Sequence, residues 1–231
     1  MSDTTYIVCG CKSWNRKVFD EHMTSLPGTW HFVGKKEELK KGLLEKLKPR
    51  YVFFLHWSWK VPSEIWKTCE CINFHMADVP YGRGGSPLQN LILRGHKTTK
   101  LSALRMTEEM DAGPVYLKEA MGLEGTAQEI LVRSSELAAR LIDRIIREHP
   151  VPKEQEGKPV IFERRTPEQS RMPAGLSLET QYDFIRMLDG EGYPAAFLES
   201  GGMRYEFRKA VLYNGRLEAQ ITALPLSASD S

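Results

Sequence analysis

The sequence predicts a doubly wound, mostly parallel α/β sheet with a small α+β appendage at its C-terminal end. Three observations carry this expectation. Apolar runs of strand length alternate with stretches of helical period through the first two thirds of the chain. The clearest run, Tyr51-Val52-Phe53-Phe54-Leu55, is apolar at every position, as a strand covered on both faces must be. Beyond a polar, proline-bearing block from His149 to Pro159, the pattern changes to short strands separated by glycine turns. The expected organisation is therefore a main domain over residues 1–150, a linker or extended loop over 151–175 and a small subdomain over 176–231.

The elements follow in order. Tyr6 to Gly10 reads as a buried first strand, and Ser13 is placed to cap a helix running to about Met23. Thr29 to Val33 is a second strand. Lys36 to Lys48 reads as one amphipathic helix, with Leu39, Leu43, Leu44 and Leu47 on a stripe and Pro49 as its stop. After the Tyr51–Leu55 strand come a short helix at Glu64–Lys67 and a strand at Glu70–His75. A loop rich in Pro and Gly follows, then a helix capped by Ser86 with Pro87 in its first turn. Thr98 to Met106 and Val115 to Ala120 are strands on either side of an Asp111-Ala112-Gly113-Pro114 turn. Thr126 to Glu148 is a long helix. In the appendage, Leu178 to Leu188 is a helix, and Ala195–Leu198, Arg204–Val211 and Leu217–Thr222 are strands; the residues from Ser227 are expected to fray.

Composition is that of an ordinary globular chain. The 231 residues carry 32 basic and 30 acidic side chains, a net charge of +2. Basic clusters such as Lys35-Lys36 and Lys40-Lys41 are interrupted by Glu37 and Glu38, which reads as a solvated face and not a phosphate footprint. No apolar run is long enough for a membrane span, and Met1 to Cys9 lacks a basic segment followed by an apolar one, so a cytoplasmic protein without a membrane partner is expected. The four cysteines form two C-x-C pairs, Cys9/Cys11 and Cys69/Cys71. That spacing is tighter than a usual zinc pair, so they read as small apolar side chains at strand ends, and no metal is expected.

The densest chemistry lies between Asn73 and Asp111. Asn73 and His75 stand two apart at the end of a predicted strand, so their side chains share a face. The loop after them, with Pro80, Gly82, Gly84 and Gly85, can bring backbone close to a ligand. Ligands of doubly wound sheets bind beyond the carboxyl ends of the strands, where these residues fall. An amide to hold a developing oxyanion, an imidazole to take a proton near neutral pH and a carboxylate to orient it would suffice to move an acyl unit onto an amine without a covalent enzyme intermediate. Each has a plainer use alone: a turn Asn, a satisfied core His, a turn Asp. The combination with the glycine-rich loop is what points to a site. No G-x-G-x-x-G follows the first strand, where Cys9-Gly10-Cys11-Lys12 stands, so a dinucleotide cofactor is not expected.

The segment from Asn73 to Gly113 resembles the N10-formyltetrahydrofolate-dependent formyltransferase family, which includes glycinamide ribonucleotide transformylase, methionyl-tRNA formyltransferase and the sugar N-formyltransferases. The family pattern N-x-H-x-S-L-L-P-x-x-R-G, with D-x-G-P downstream, is matched at Asn73, His75, Pro80, Arg83, Gly84, Asp111, Gly113 and Pro114. It is departed from at Ala77 and Asp78. The resemblance implies a Rossmann-like formyltransferase fold, N10-formyltetrahydrofolate as formyl donor, and Asn73, His75 and Asp111 as catalytic residues. It places the pterin against Leu55, His56, Trp57, Met106, Thr107 and Gly113.

Within the family, the run from His75 to Ile92, the stretch Phe162–Ser170 and the tail with Tyr193–Phe197 resemble the sugar N-formyltransferases, especially those of pseudaminic-acid-type surface sugars. This implies a nucleotide-linked 4-amino-4,6-dideoxysugar as acceptor, of the UDP-linked amino-altrose type, and a place in surface polysaccharide or flagellin glycan synthesis. Tyr81, Arg83, Gly84, Arg94, Arg164 and Arg165 are then the substrate-binding candidates, arginine being suited to grip phosphate with its planar fork. The tail after Arg171 is shorter than the C-terminal barrel of the tRNA enzyme and the net charge is small, so no nucleic-acid partner is expected. The alternatives are a formyltransferase acting on another amine, such as an aminoacyl-tRNA, or a non-catalytic folate- or nucleotide-binding module. A homodimer through the appendage is expected from the same resemblance.

Overall fold

The computed structural model of the chain describes residues 4–226. In chain order the first elements are β1 (Thr5–Gly10), α1 (Ser13–Val18), β2 (Thr29–Val33), α2 (Lys41–Leu47), β3 (Tyr51–Leu55), α3 (Ser63–Thr68), β4 (Cys71–His75), β5 (Tyr81–Gly84) and α4 (Pro87–Leu93). They are followed by β6 (Thr98–Arg105), β7 (Val115–Gly122), α5 (Ala127–Glu148), β8 (Val160–Phe162), α6 (Leu178–Arg186), β9 (Ala196–Ser200), β10 (Met203–Tyr213) and β11 (Arg216–Pro225).

The central sheet has six strands in the order β2-β1-β3-β4-β6-β7. β1 runs parallel to both β2 and β3, and β3 runs parallel to β4, with Val8 opposite Phe53 and Phe54 opposite Asn73. β6 is antiparallel to β4 and sets Ser102 opposite His75. All five residues of β3 are buried, which is why its sequence shows no alternation. On one face, Ile7, Val52, Phe54 and Cys71 pack with Leu39, Leu44 and Ile65 from the flanking segments. The parallel register brings the C-terminal ends of β1, β3 and β4 to one edge, so that Gly10, Leu55 and His75 open onto the same rim.

Several boundaries differ from expectation for local reasons. The Lys36–Lys48 stretch is not one helix. A single 3-10 turn spans Lys36–Glu38, the chain turns extended at Leu39 and Lys40, and α2 then begins. Glu38 turns its carboxylate back to accept from the Gly34 and Lys35 amides at 3.0 and 3.2 Å, which ends the first turn. The break lets Leu39 and Leu44 reach the same apolar cluster. The helix from Ser13 does run to Met23, but as α1 followed by a π-helical turn over Phe19–Met23, and Asn15 rather than Ser13 meets the Lys12 amide at its start. Ser86 makes no side-chain cap; its hydroxyl accepts from the Arg165 amide, and Asn90 Nδ2 instead covers the Gly85 and Ser86 carbonyls. The glycine-rich loop contains β5, which pairs with β8. Glycines with positive φ at 82 and 84 hide that strand from a pattern based on side chains.

The chain divides into two compact units. One holds residues 4–84, 99–121 and 132–161, and with them the six-stranded sheet. The other holds residues 85–98, 122–131 and 162–226. Its three-stranded sheet has the order β11-β10-β9 with antiparallel pairing throughout. Inside it Arg186 is 3% exposed, with Nε on Asp183 at 2.7 Å and Nη1 donating to the Leu123 and Gly125 carbonyls. A buried guanidinium is tolerable only when its donors are met in this way. The tail from Ser227, expected to fray, lies outside the described residues. Among the described residues no helix is long and apolar enough to cross a membrane.

Candidate active site

Asn73 and His75 leave the end of β4 on the same side, as residues two apart on a strand must. Asp111 reaches them from the turn between β6 and β7, where it stands with a left-handed backbone, φ 53°. Its carboxylate gathers three groups. Oδ1 accepts from Asn73 Nδ2 at 3.0 Å, and Oδ2 accepts from the Gly84 amide at 3.1 Å and lies 3.4 Å from His75 Nδ1. His75 and Asp111 are nearly enclosed, with side-chain exposures of 7% and 8%. His75 Nε2 donates to the Gly82 carbonyl at 2.7 Å. Both ring nitrogens therefore face oxygens, and the ring is fixed in position by β5 on one side and the Asp111 turn on the other. The amide, the imidazole and the carboxylate expected to converge do so.

The Asp111 turn is itself held from three directions. Met106 N donates to Cys71 O at 2.8 Å, Arg105 N donates to Pro114 O at 2.9 Å, and Thr107 Oγ1 donates to Glu109 O at 3.1 Å. Gly113 packs so closely that a Cβ there would fall on the Arg105 carbonyl oxygen. Gln155, from the segment read as a linker, sends Nε2 to both the Asp111 and Gly113 carbonyls at 2.8 Å and takes a hydrogen bond from Arg83 Nε on Oε1 at 3.0 Å. Arg83 also meets Glu109 at 3.3 Å. Gln155 had no sequence signal, because it stands in a polar stretch without periodicity.

The other expected contacts are placed as follows. Trp57 and Met106 are half-buried at the margin of the apolar cluster. Leu55 is enclosed at 1% exposure, so it offers a ligand no side-chain surface. His56 is bound into the protein: Nδ1 accepts from Trp14 Nε1 at 3.1 Å and is approached by Asn15 and Ser135, while Nε2 lies 2.9 Å from Ser134 Oγ. Since Trp14 can only donate, the His56 proton sits on Nε2. Arg94 lies over the Phe162 ring at 4.5 Å and donates to Asn90, and Arg165 lies over Phe184 and donates to Gln169 O, so both guanidiniums are engaged inside their own unit. Arg164 is exposed, and Tyr81 is half-buried on β5. Asp78, where the family pattern departs, is paired with Lys118 at 2.6 Å and Lys100 at 3.0 Å. Cys9 and Cys71 are core residues, whereas Cys11 and Cys69 give their thiols to the His56 and Pro49 carbonyls.

Burial, aided by the nearby Lys12 charge, lowers His56 from its ordinary range to about 4. The unfolded chain therefore binds a proton at His56 before the folded one does. Stability from this group is complete above about pH 6.5 and is lost as pH falls towards 4, by about 3 kcal/mol in all. Urea midpoints measured across that window should fall steeply for the native chain and more shallowly for His56→Asn. Equal slopes would show that the ring is not held neutral.

A family model described as "Methionyl-tRNA formyltransferase, C-terminal domain" matches residues 167–223. Among solved structures, a methionyl-tRNA formyltransferase from Clostridium thermocellum is 41% identical and superposes with a TM-score of 0.91, covering 96% of this chain and 99% of that one. The fold is thus that of the formyltransferases. The chain belongs to the N10-formyltetrahydrofolate-dependent formyltransferase family. A methionyl-tRNA formyltransferase of Campylobacter lari is 28% identical over 159 residues, 67% of this chain and 52% of that protein. The chain spans about half the length of the curated relatives it matches.

These matches overturn the expectation of a nucleotide-linked aminosugar acceptor, and with it the surface-glycan setting. The near-full-length relative and the curated ones are methionyl-tRNA formyltransferases. A sugar N-formyltransferase from Shewanella sp. FDAARGOS_354 is 14% identical with a TM-score of 0.68, covering 91% of this chain and 98% of that one, a likeness of fold alone. The length of the tail was a poor guide, since residues 167–223, which hold α6, β9, β10 and most of β11, are the part that matches the family model of the C-terminal domain. The exclusion of nucleic acid rested on net charge, which averages over the whole surface and does not test one face.

Proposed function

We propose that this chain transfers a formyl group from N10-formyltetrahydrofolate to the α-amine of an aminoacyl-tRNA, methionyl-tRNA foremost, with Asn73, His75 and Asp111 at the reacting centre. What carries the reading is the convergence of those three side chains in a chain 41% identical, over nearly its full length, to a methionyl-tRNA formyltransferase. A cytoplasmic setting goes with that acceptor.

The residues fit the donor. Asn73 commits one amide hydrogen to Asp111 and keeps a second for an incoming oxygen. Trp57 and Met106 offer half-buried apolar surface at the margin of the core cluster, with Met106 directly after β6. When bound, the donor would supply the formyl carbon and a leaving nitrogen, which takes up the proton that the acceptor amine gives up as the new C–N bond replaces the old one. As the acceptor amine adds to that carbon, negative charge collects on the formyl oxygen. Asn73 is the donor placed to meet it, and it is already oriented, so little reorganisation is needed as charge develops; His75 stands beside it with Nε2 on the Gly82 carbonyl and Nδ1 turned to Asp111. Asp111 holds the Asn73 amide and stands 3.4 Å from His75 Nδ1, fixing the two side chains relative to each other. The amine must arrive unprotonated to use its lone pair, so acid slows the reaction.

The test is direct. The protein is incubated with methionyl-tRNA and the formyl donor, and the aminoacyl ester is read by mass for the gain of one formyl group, with free methionine as comparator. Formylation of the tRNA ester is expected. No formylation of any aminoacyl-tRNA by folded protein would overturn the assignment.

A further inference from the structure

The polar segment between α5 and β8 looks like a tether in sequence, yet one of its side chains reaches the catalytic turn. We propose that Gln155 is a positioning residue that clamps the Asp111 turn and Arg83 in the geometry needed for formyl transfer; this rests on the function proposed above. Its amide has one possible orientation, because two carbonyls face Nε2 and a guanidinium N–H faces Oε1. All three polar contacts of the side chain are used. The two carbonyls it joins, Asp111 and Gly113, flank the bend of the turn, and Asp111 holds a left-handed backbone that a non-glycine residue adopts only under restraint. The third contact orients a 9%-exposed Arg83 on β5, next to Gly84, whose amide feeds the same carboxylate. The segment is itself registered against β7, since Val115 and Lys153 exchange both backbone hydrogen bonds, at 2.7 and 2.9 Å.

Gln155 thus ties three stretches that are remote in sequence to one carboxylate, and it does so without touching the reacting groups. A side chain of equal reach that cannot hydrogen-bond should loosen the turn while leaving the fold. Gln155→Met is expected to lower kcat by about 10- to 100-fold with KM changed little, since a small misplacement of a reacting group has that cost. Gln155→Glu places a carboxylate against two carbonyls, so its activity relative to the native enzyme should be lowest at high pH and recover as the pH falls and the side chain regains a donor. Hydrogen exchange over residues 107–113 should quicken in Gln155→Met and not in the β1 and β3 strands. The exchange readout does not depend on the acceptor, so it separates failure of the clamp from failure of the function. Native-like kcat for Gln155→Met together with unchanged exchange over 107–113 would overturn the proposal.

Discussion

Replacing Asp111 by Asn is expected to lower kcat for formyl transfer by about 10²- to 10⁴-fold, the range associated with losing an oriented acid–base or oxyanion-stabilising group. The carboxylate accepts from the Asn73 amide at 3.0 Å and the Gly84 N–H at 3.1 Å, and lies 3.4 Å from His75 Nδ1. An Asn side chain has only one acceptor oxygen. If its NH₂ takes the Oδ1 position it confronts the Asn73 NH₂, and if it takes the Oδ2 position it confronts the Gly84 N–H. One donor is left unmet in either rotamer, so a stability loss of about 1–3 kcal/mol should accompany the kinetic loss. His75→Ala is the cleaner probe of chemistry, because Asp111 keeps Asn73 and Gly84 when the ring is gone. It too should lose most turnover while melting as a folded protein. Steady-state kinetics with methionyl-tRNA, alongside circular dichroism melts, measure both quantities. A folded His75→Ala enzyme with near-native kcat would remove the imidazole from the mechanism.

Much of the fold was legible because it is written in side-chain periodicity. β3 is a run of five apolar residues and α5 a long stripe, and both appear within two residues of the expected limits. The convergence at the site was legible for a related reason: Asn73 and His75 are two apart on a strand, and Asp111 opens a turn that follows the next strand of the central sheet. What could not be read was whatever depends on backbone or on single long-range hydrogen bonds. β5 reads Y-G-R-G, with no side-chain alternation to announce it. Gln155 is one glutamine among charged neighbours, and its partners lie more than forty positions away. His56 was placed near the pterin by the family resemblance; its partners, Trp14, Ser134 and Ser135, come from helices whose packing no local pattern encodes.

The acceptor was misread through a different kind of inference. The arginines singled out for a diphosphate were chosen by charge, yet Arg94 and Arg165 spend their guanidiniums on Phe162, Asn90, Phe184 and Gln169. A cation over an aromatic ring gains on the order of 1 kcal/mol and covers apolar surface with its stem, so such arginines do structural work that resembles a binding site in sequence. Reaction chemistry sits in a few groups that must be present in any family member. Acceptor choice is spread over surface contacts, where a single sequence holds far less information.

The second large effect is expected at Gly113. Gly113→Ala should destabilise the fold by about 1–3 kcal/mol or more and also reduce turnover, because the added Cβ has no free space. It would fall on the Arg105 carbonyl oxygen, with the Arg105 carbonyl carbon at 3.0 Å and Thr107 Cγ2 at 3.1 Å. Those first two neighbours are backbone and cannot rotate away. Relief requires the turn to lift off the end of β6, which stretches Arg105 N–H to Pro114 O, now 2.9 Å, and Gln155 Nε2 to Gly113 O, now 2.8 Å. Asp111 is two residues away, so the displacement reaches the carboxylate and the activity falls with the stability. Gly42 supplies the contrast. It lies in α2 with nothing within 4 Å of a built Cβ, so Gly42→Ala should stabilise the protein by up to about 1 kcal/mol through helix propensity and leave kcat unchanged. Denaturant midpoints and kcat for the two variants test this together. If Gly113→Ala unfolds at the native midpoint with native turnover, the turn is not the rigid support that the Asp111 geometry requires.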